Sequence, residues 1–227
     1  MTTHRNRGRA ATRPIPPELR SPIYLAAWDL AWCGHFYRVQ PENCDPFIAR
    51  FGAGSLIARR HGLTILWLTA LAGRFNELAN LRLSDIDGNT VQLQRSKRGA
   101  AHPIAVDPQL VQCTAAWHNR IGAEQRKTYT AQLMHRSPYL LPSNRGGRLN
   151  VNVFNRDVAG PLGALFGLRL SSHCFRDTAC QEAMRLVKAD ANLDVRAVQA
   201  LMGHRSARTT EIYLRKQEAA QLCIPLS

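Results

Sequence analysis

The residue pattern predicts an α+β fold, mainly α, with one small antiparallel β-sheet. Three observations carry that expectation. Apolar residues fall at helical spacing over several long stretches, among them 18–31, 62–72 and 174–188. A single short stretch, Thr90 to Gln94, alternates instead, with Val91 and Leu93 on one side, and His102 to Val106 can return beside it as a second strand. Internal repeats are lacking, and nothing is of low complexity apart from a basic arm at the front, so a solenoid or propeller is excluded.

Residues 1–17 read as that arm. It carries Arg5, Arg7, Arg9 and Arg13 and is broken by Pro14, Pro16 and Pro17, so it can bury little and is expected to be flexible when free. From Glu18 a helix can start, with Ile23, Ala26, Ala27, Leu30 and Ala31 on one side. Trp28 and Trp32 lie one turn apart on it and are expected in the core. Gly34 to Pro46 reads as a loop. Phe47 to Arg60 reads as moderately helical, interrupted by Gly52 and Gly54. Gly62 to Ala72 is the most apolar run and reads as a buried helix. Leu78, Leu81 and Leu83 resume the apolar pattern, and Asp85 to Gly88 reads as a turn. Ser96-Lys97-Arg98-Gly99 is a basic hairpin tip between the two strands. Gln109 to Trp117 is helical, 118–149 is polar and irregular, and Leu140-Leu141 fits a short buried strand or a helix start. Asn152 can cap a helix through Leu165 that Gly167 ends. A last long helix runs from about Ser172 to Lys188, with Ala179, Ala183, Leu186 and Val187 inward.

Composition limits the function classes. With 30 Lys+Arg against 16 Asp+Glu, the 227-residue chain carries a formal charge of +14, and its pI is near 10.4. A polyanionic partner follows, nucleic acid first. Six cysteines stand at 33, 44, 113, 174, 180 and 223 without any C-x-x-C pair. Neither a zinc site nor a disulfide framework is indicated, and the chain fits a reducing compartment. No apolar run approaches a membrane span. The arm has no apolar segment and is no secretory signal, though its composition leaves a transit peptide open. There is no G-x-G-x-x-G, no Walker loop and no metal-ligand cluster, so no cofactor and no metal are expected.

Several cations occupy positions where chemistry is expected. Arg74 follows the buried 62–72 run directly, at the edge of the core, where an arginine is costly unless an anion meets it. Glu77 or a phosphate could be that anion. His173 and Arg176 are spaced i, i+3 and share one face of a helix start, whose dipole adds to their pull on an anion. From Asp194 to Arg215, Asp194 can cap a short helix that buries Val195, Val198, Leu201 and Met202, and Gly203 suits its C-terminus. His204 then leaves that helix at a turn. Thr209 or Thr210 can cap the next helix, with Tyr213 in its first turn. An imidazole and a phenol thus face a basic loop holding Arg205 and Arg208. A phenol is an uncommon nucleophile, and with cations around it phosphate is its natural target.

Taken together, Arg74, Lys97, His173, Arg176, His204 and Tyr213 resemble the active site of the tyrosine recombinase (phage integrase) family, over about Glu18 to Arg215. Three pieces carry the resemblance. Gly73-Arg74-x-x-Glu77-Leu78-x-x-Leu81-x-x-x-Asp85-Ile86-Asp87 looks like the family's first-arginine box. His173-x-x-Arg176 is the second. Leu201-Met202-Gly203-His204 followed by Thr209-Thr210-x-x-Tyr213 is the third, and 213 − 204 gives the family's interval of 9 residues. Asp177 departs from the pattern, standing where the family commonly has a second histidine. Lys97 is assigned by position, with Arg98 beside it. The arm is too short for the separate DNA-clamping domain that many relatives carry in front. The expectation is a 1–17 basic arm and an 18–227 catalytic domain, without a separate N-terminal core-binding domain.

The resemblance implies a site-specific DNA recombinase that cleaves and rejoins strands through a 3′-phosphotyrosyl intermediate, for integration, excision or inversion. Tyr213 would be the nucleophile, Arg74 and Arg176 the phosphate clamp, Lys97 the acid for the leaving oxygen, His173 the base and His204 a further donor. Arg5, Arg7, Arg9, Arg13, Arg98, Arg205 and Arg208 would contact DNA. The implied partners are double-stranded DNA, further protomers in a tetrameric synapse and an accessory DNA-bending protein, with no membrane. The implied location is the cytoplasm, on the nucleoid if the source is bacterial. Two other classes share these features: a type IB topoisomerase-like relaxing enzyme, and a DNA-binding regulator with a disused site.

Overall fold

In the computed structural model, residues 13–38, 50–94, 101–189, 198, 199 and 202 are described. They form a mainly helical body with a small antiparallel sheet, as the pattern predicts. Helix α1, Pro17–Cys33, starts on prolines that cannot donate and ends at Gly34 in the left-handed region, whose N–H donates to the Leu30 carbonyl. Its face of Ile23, Ala26, Ala27, Leu30 and Ala31 is buried as expected. Helix α2, Leu56–Leu71, is capped by the Ser55 hydroxyl, which accepts from the Ala58 N–H at 3.1 Å. It begins at that cap, well ahead of Gly62, and the glycine marks where α1 crosses. A Cβ there would lie 2.4 Å from both the Ala27 carbonyl oxygen and the Ala31 nitrogen.

Helix α3, Phe75–Asn80, leads through a 3₁₀ turn, Leu83–Asp85, into the sheet. Strands β1 (Ile86–Asp87), β2 (Thr90–Gln94) and β3 (Ala101–Ala105) pair in that order, with Ile86 opposite Val91 and Val91 opposite Ile104. Val91, Leu93 and Ile104 put one face of the sheet into the core. Helix α4, Pro108–Glu124, buries Leu110, Cys113, Trp117 and Ile121. Its Thr114 hydroxyl accepts from the Trp67 indole at 3.0 Å, and the Trp117 indole donates to the Leu56 carbonyl at 3.0 Å. Both buried indoles are thus satisfied against α2. Helix α5, Tyr129–His135, follows. Asn150 caps α6, Val151–Phe154, which passes through a wide turn at Asn155–Ala159 into α7, Gly160–Leu165. Helix α8, Ser172–Ala189, is the longest among the described residues.

Several expectations are corrected. Ile15 of the arm is buried, and its N–H donates to the Thr178 hydroxyl of α8 at 2.8 Å. The chain is thus held ahead of Glu18. Trp32, Leu83 and Leu186 are 40%, 45% and 51% exposed and are not core residues. Residues 85–88 hold a strand as well as a turn, and 118–149 holds the end of α4 and all of α5. Leu140-Leu141 is neither strand nor helix start. Both are buried, and the Leu140 N–H bonds the Leu81 carbonyl at 2.7 Å. The cap of α6 is Asn150, not Asn152; its side chain accepts from the N–H groups of both Asn152 and Val153.

Candidate active site

The end of α2 sets the position of the first arginine. Ala72 closes that helix in the left-handed region at φ 46°, a conformation that costs a residue with a Cβ about 1–2 kcal/mol. The chain then turns, and Arg74 becomes the cap of α3. Glu77, three residues on, is fully buried and reaches back. One of its oxygens accepts the Arg74 backbone N–H at 2.8 Å, and the other accepts the Arg74 guanidinium at 3.0 Å. The sequence left Glu77 or phosphate as the partner of Arg74. Glu77 pairs with it, while the Arg74 side chain remains 32% exposed. It is held by Glu77 and still partly open to solvent.

Arg176 holds the same turn from the other side. It lies one turn into α8 and is 5% exposed. Its guanidinium donates to the carbonyl of Ala72, two residues before Arg74, and to the carbonyl of Met202 at 2.6 Å. One side chain therefore joins the strained α2 terminus, α8 and the segment that leads to His204. These hydrogen bonds are charge-assisted and buried, the stronger kind. A small apolar cluster surrounds the join: Ala72, Ala179, Cys180, Met184, Val198 and Met202. Val198 and Met202 are buried, as the sequence pattern predicts for that face. Burial pushes the Cys180 thiol up to about 12 despite the nearby Arg176, so it stays protonated at neutral pH.

His173 stands in the first turn of α8 and is exposed. It and Arg176 have the expected spacing, but their surroundings differ: the imidazole meets solvent and the guanidinium is enclosed. The head of α8 is fixed by Asn155, whose side-chain oxygen accepts the Ser172 N–H at 2.8 Å. Neither Asn155 nor the Ala72 carbonyl was visible as a site element in the sequence. A glycine at 72 would have marked a left-handed position, and alanine gives no such sign. Of the other predicted site residues, Arg13 is exposed. Lys97, Arg98, His204, Arg205, Arg208, Tyr213, Arg5, Arg7 and Arg9 lie outside the described residues. Among the described residues no group of three or more His, Cys, Asp or Glu could hold a metal ion.

The chain is similar to known proteins along this same region. The model of the phage integrase family matches residues 47–220. The tyrosine recombinase XerD of Mycobacterium leprae is 32% identical over 165 residues, covering 70% of this chain and 49% of the relative. XerD of Agrobacterium fabrum is 37% identical over 117 residues, 48% of this chain and 33% of the relative. The chain thus spans about half, or less, of the length of these curated relatives. Among solved structures, the XerH site-specific recombinase bound to difH substrate superposes with a TM-score of 0.56 at 18% identity, covering 83% of this chain and 56% of that one. A lambda integrase dimer bound to a core site gives 0.55 at 14% identity, covering 96% and 65%. At such identities the superpositions speak for the fold, and the sequence matches speak for descent. This chain belongs to the phage integrase family, the tyrosine recombinases.

Proposed function

We propose that this chain is a site-specific DNA recombinase whose Tyr213 attacks a phosphodiester and holds the cut strand as a 3′-phosphotyrosyl. The observation that carries the reading is the convergence of Arg74 and Arg176 on the single turn after α2. Tyr213 forms a bond to phosphorus, the bond to the 5′ oxygen breaks, and the bond energy is kept in the covalent link. His173 accepts the phenol proton, and Lys97 returns one to the leaving 5′ oxygen. A guanidinium could not do the latter, because it does not release its proton. Arg74 presents its open edge to the non-bridging oxygens, where charge builds in the transition state. Arg176 carries its charge to the same turn from within the protein, and His204 donates to a phosphate oxygen. With this many cations the step needs no metal ion.

XerH and the lambda integrase dimer were both solved on DNA. By analogy this chain acts on duplex DNA with further copies of itself, in a tetrameric synapse assisted by a DNA-bending protein, on the nucleoid of the cytoplasm. In this reading residues 1–17 are a basic arm ahead of the catalytic domain at 18–227, and Arg5, Arg7, Arg9 and Arg13 add phosphate contacts. No helix among the described residues is long and apolar enough to cross a membrane. The test is incubation with nicked candidate-site DNA in excess chelator. A covalent protein–DNA band is expected. Its absence in chelator, with recovery on adding magnesium, would overturn the mechanism.

A further inference from the structure

A second cationic site lies at the other end of α2. A cavity of about 540 Å³ opens between the N-terminal half of α2, the loop before α6, and α6 itself. Arg60 and His61 line it from α2 and Asn144 and Arg145 from the loop, and Phe51 and Phe154 belong to its apolar lining. Arg60 is 4% exposed and His61 is 7% exposed. The Arg60 guanidinium spends one N–H on the Pro142 carbonyl at 2.8 Å, and among the described residues no carboxylate pairs with it. Its Nε and the His61 Nε2 are buried without a hydrogen-bond partner. Burying the Arg60 charge without a carboxylate is costly unless another anion reaches it. The carboxylate in the wall, Asp157, is already taken by Arg50 and Arg156.

We propose that this cavity binds a phosphate ester with a planar apolar body, the chemistry of a nucleotide. The phosphate would meet Arg60 and His61 at the base and Arg145 at the rim, and the planar body would lie against Phe51 and Phe154. A cavity of this size suits a small ligand. The donors are held in place before any ligand arrives. The 143–147 loop is closed by hydrogen bonds from the Ser143 N–H to the Gly147 carbonyl and from the Gly146 N–H to the Ser143 carbonyl. Gly146, at φ 74°, packs so close to the Leu133 carbonyl of α5 that a Cβ would lie 2.5 Å from it. His61 packs edge-on to Phe51 with ring centroids 4.4 Å apart. Burial, with Arg60 and Arg50 facing it, holds its imidazole well below the ordinary value against a smaller opposing pull from Asp157. The neutral ring offers one N–H. Burial brings Arg60 down only to about 10, so it stays charged at neutral pH.

The test reads binding rather than cleavage, in the full chain carrying Tyr213→Phe. The probes are inorganic phosphate, thymidine 5′-monophosphate and a duplex oligonucleotide, followed by calorimetry and by the ring signals of His61 in NMR. Thymidine 5′-monophosphate is expected to bind more tightly than phosphate and to move the His61 signals. Arg60→Met is the obvious variant but removes the bond to Pro142 and can unfold the loop. His61→Phe, which keeps the ring contact, and Arg145→Ala are therefore the deciding variants. Each should weaken nucleotide binding about tenfold or more. If the duplex itself moves the His61 signals and displaces the nucleotide, the ligand is a nucleotide of the DNA strand. If nucleotide binds equally with duplex present, it is a free nucleotide. Unmoved His61 signals with all three probes, or equal affinity in both variants, would overturn the proposal.

Discussion

Replacing Glu77 by glutamine separates what its carboxylate does for the fold from what it does for Arg74. The carboxylate is fully buried and accepts two N–H groups of the same residue, the Arg74 backbone at 2.8 Å and its guanidinium at 3.0 Å. Glutamine keeps the shape and one acceptor. Its amide nitrogen then faces a donor, so one charge-assisted hydrogen bond is lost. Such bonds contribute roughly 1.5–3 kcal/mol when charged groups are involved. The Arg74 end is about a third exposed, so the lower part of that range applies, about 1.5–2 kcal/mol after allowing for solvent screening. Urea unfolding should show a lower midpoint with an unchanged slope. Single-turnover cleavage of a nicked site should slow as well, because the guanidinium loses the support that aims it. DNA affinity should stay nearly constant. A Glu77→Gln chain with wild-type midpoint and wild-type cleavage rate would refute the idea that this carboxylate positions Arg74.

Three further outcomes are expected. Arg176→Lys keeps the charge but cannot bridge the Ala72 and Met202 carbonyls, so cleavage should fall by about a hundredfold or more; a near-normal rate would show that the bridge is dispensable. Gly62→Ala, which in an open helix would add about 1 kcal/mol, should instead destabilise by about 1–3 kcal/mol, because the new methyl meets the α1 backbone at 2.4 Å; a raised urea midpoint would contradict the packing of α1 on α2. Burial lowers the imidazoles of both His61 and His118 below the ordinary 6.5. The unfolded chain therefore binds the extra protons first, and stability should fall as pH drops below about 6.5 toward the folded values. His61→Phe should flatten that fall in pH-dependent urea titrations, and an unchanged pH profile would show that His61 is not buried neutral.

The parts of the fold legible in the sequence are those with a long period. The buried faces of α1 and α2 repeat over four turns, and β2 alternates through Val91 and Leu93. Strand β1 has two residues, too few for any period. Helix α5 buries only Ala131 and Met134 within a polar stretch, so its pattern is faint. Helical spacing places Trp32 with Trp28, and Leu186 with Ala183 and Val187, on the inner face, yet a large apolar side chain at the edge of such a face can stand at the surface without penalty to the pattern. At the site, Arg74 is legible because a cation beside an apolar run requires a partner, and Arg176 because it stands three residues from His173 at a helix start. The partners of Arg176 were not legible, because they are backbone carbonyls, which every residue possesses. The same limit hid the α2 terminus, where alanine takes a conformation that glycine would have announced.

The central claim is that Tyr213 carries the covalent link to DNA. The direct measurement is to trap the adduct on a nicked site, digest the protein and DNA, and locate the modified peptide by mass spectrometry. The account predicts a single phosphotyrosyl peptide containing Tyr213, attached to the 3′ end of the cut strand, and no adduct from the Tyr213→Phe chain at undiminished DNA affinity. An adduct on another residue, or one that survives Tyr213→Phe, would contradict it.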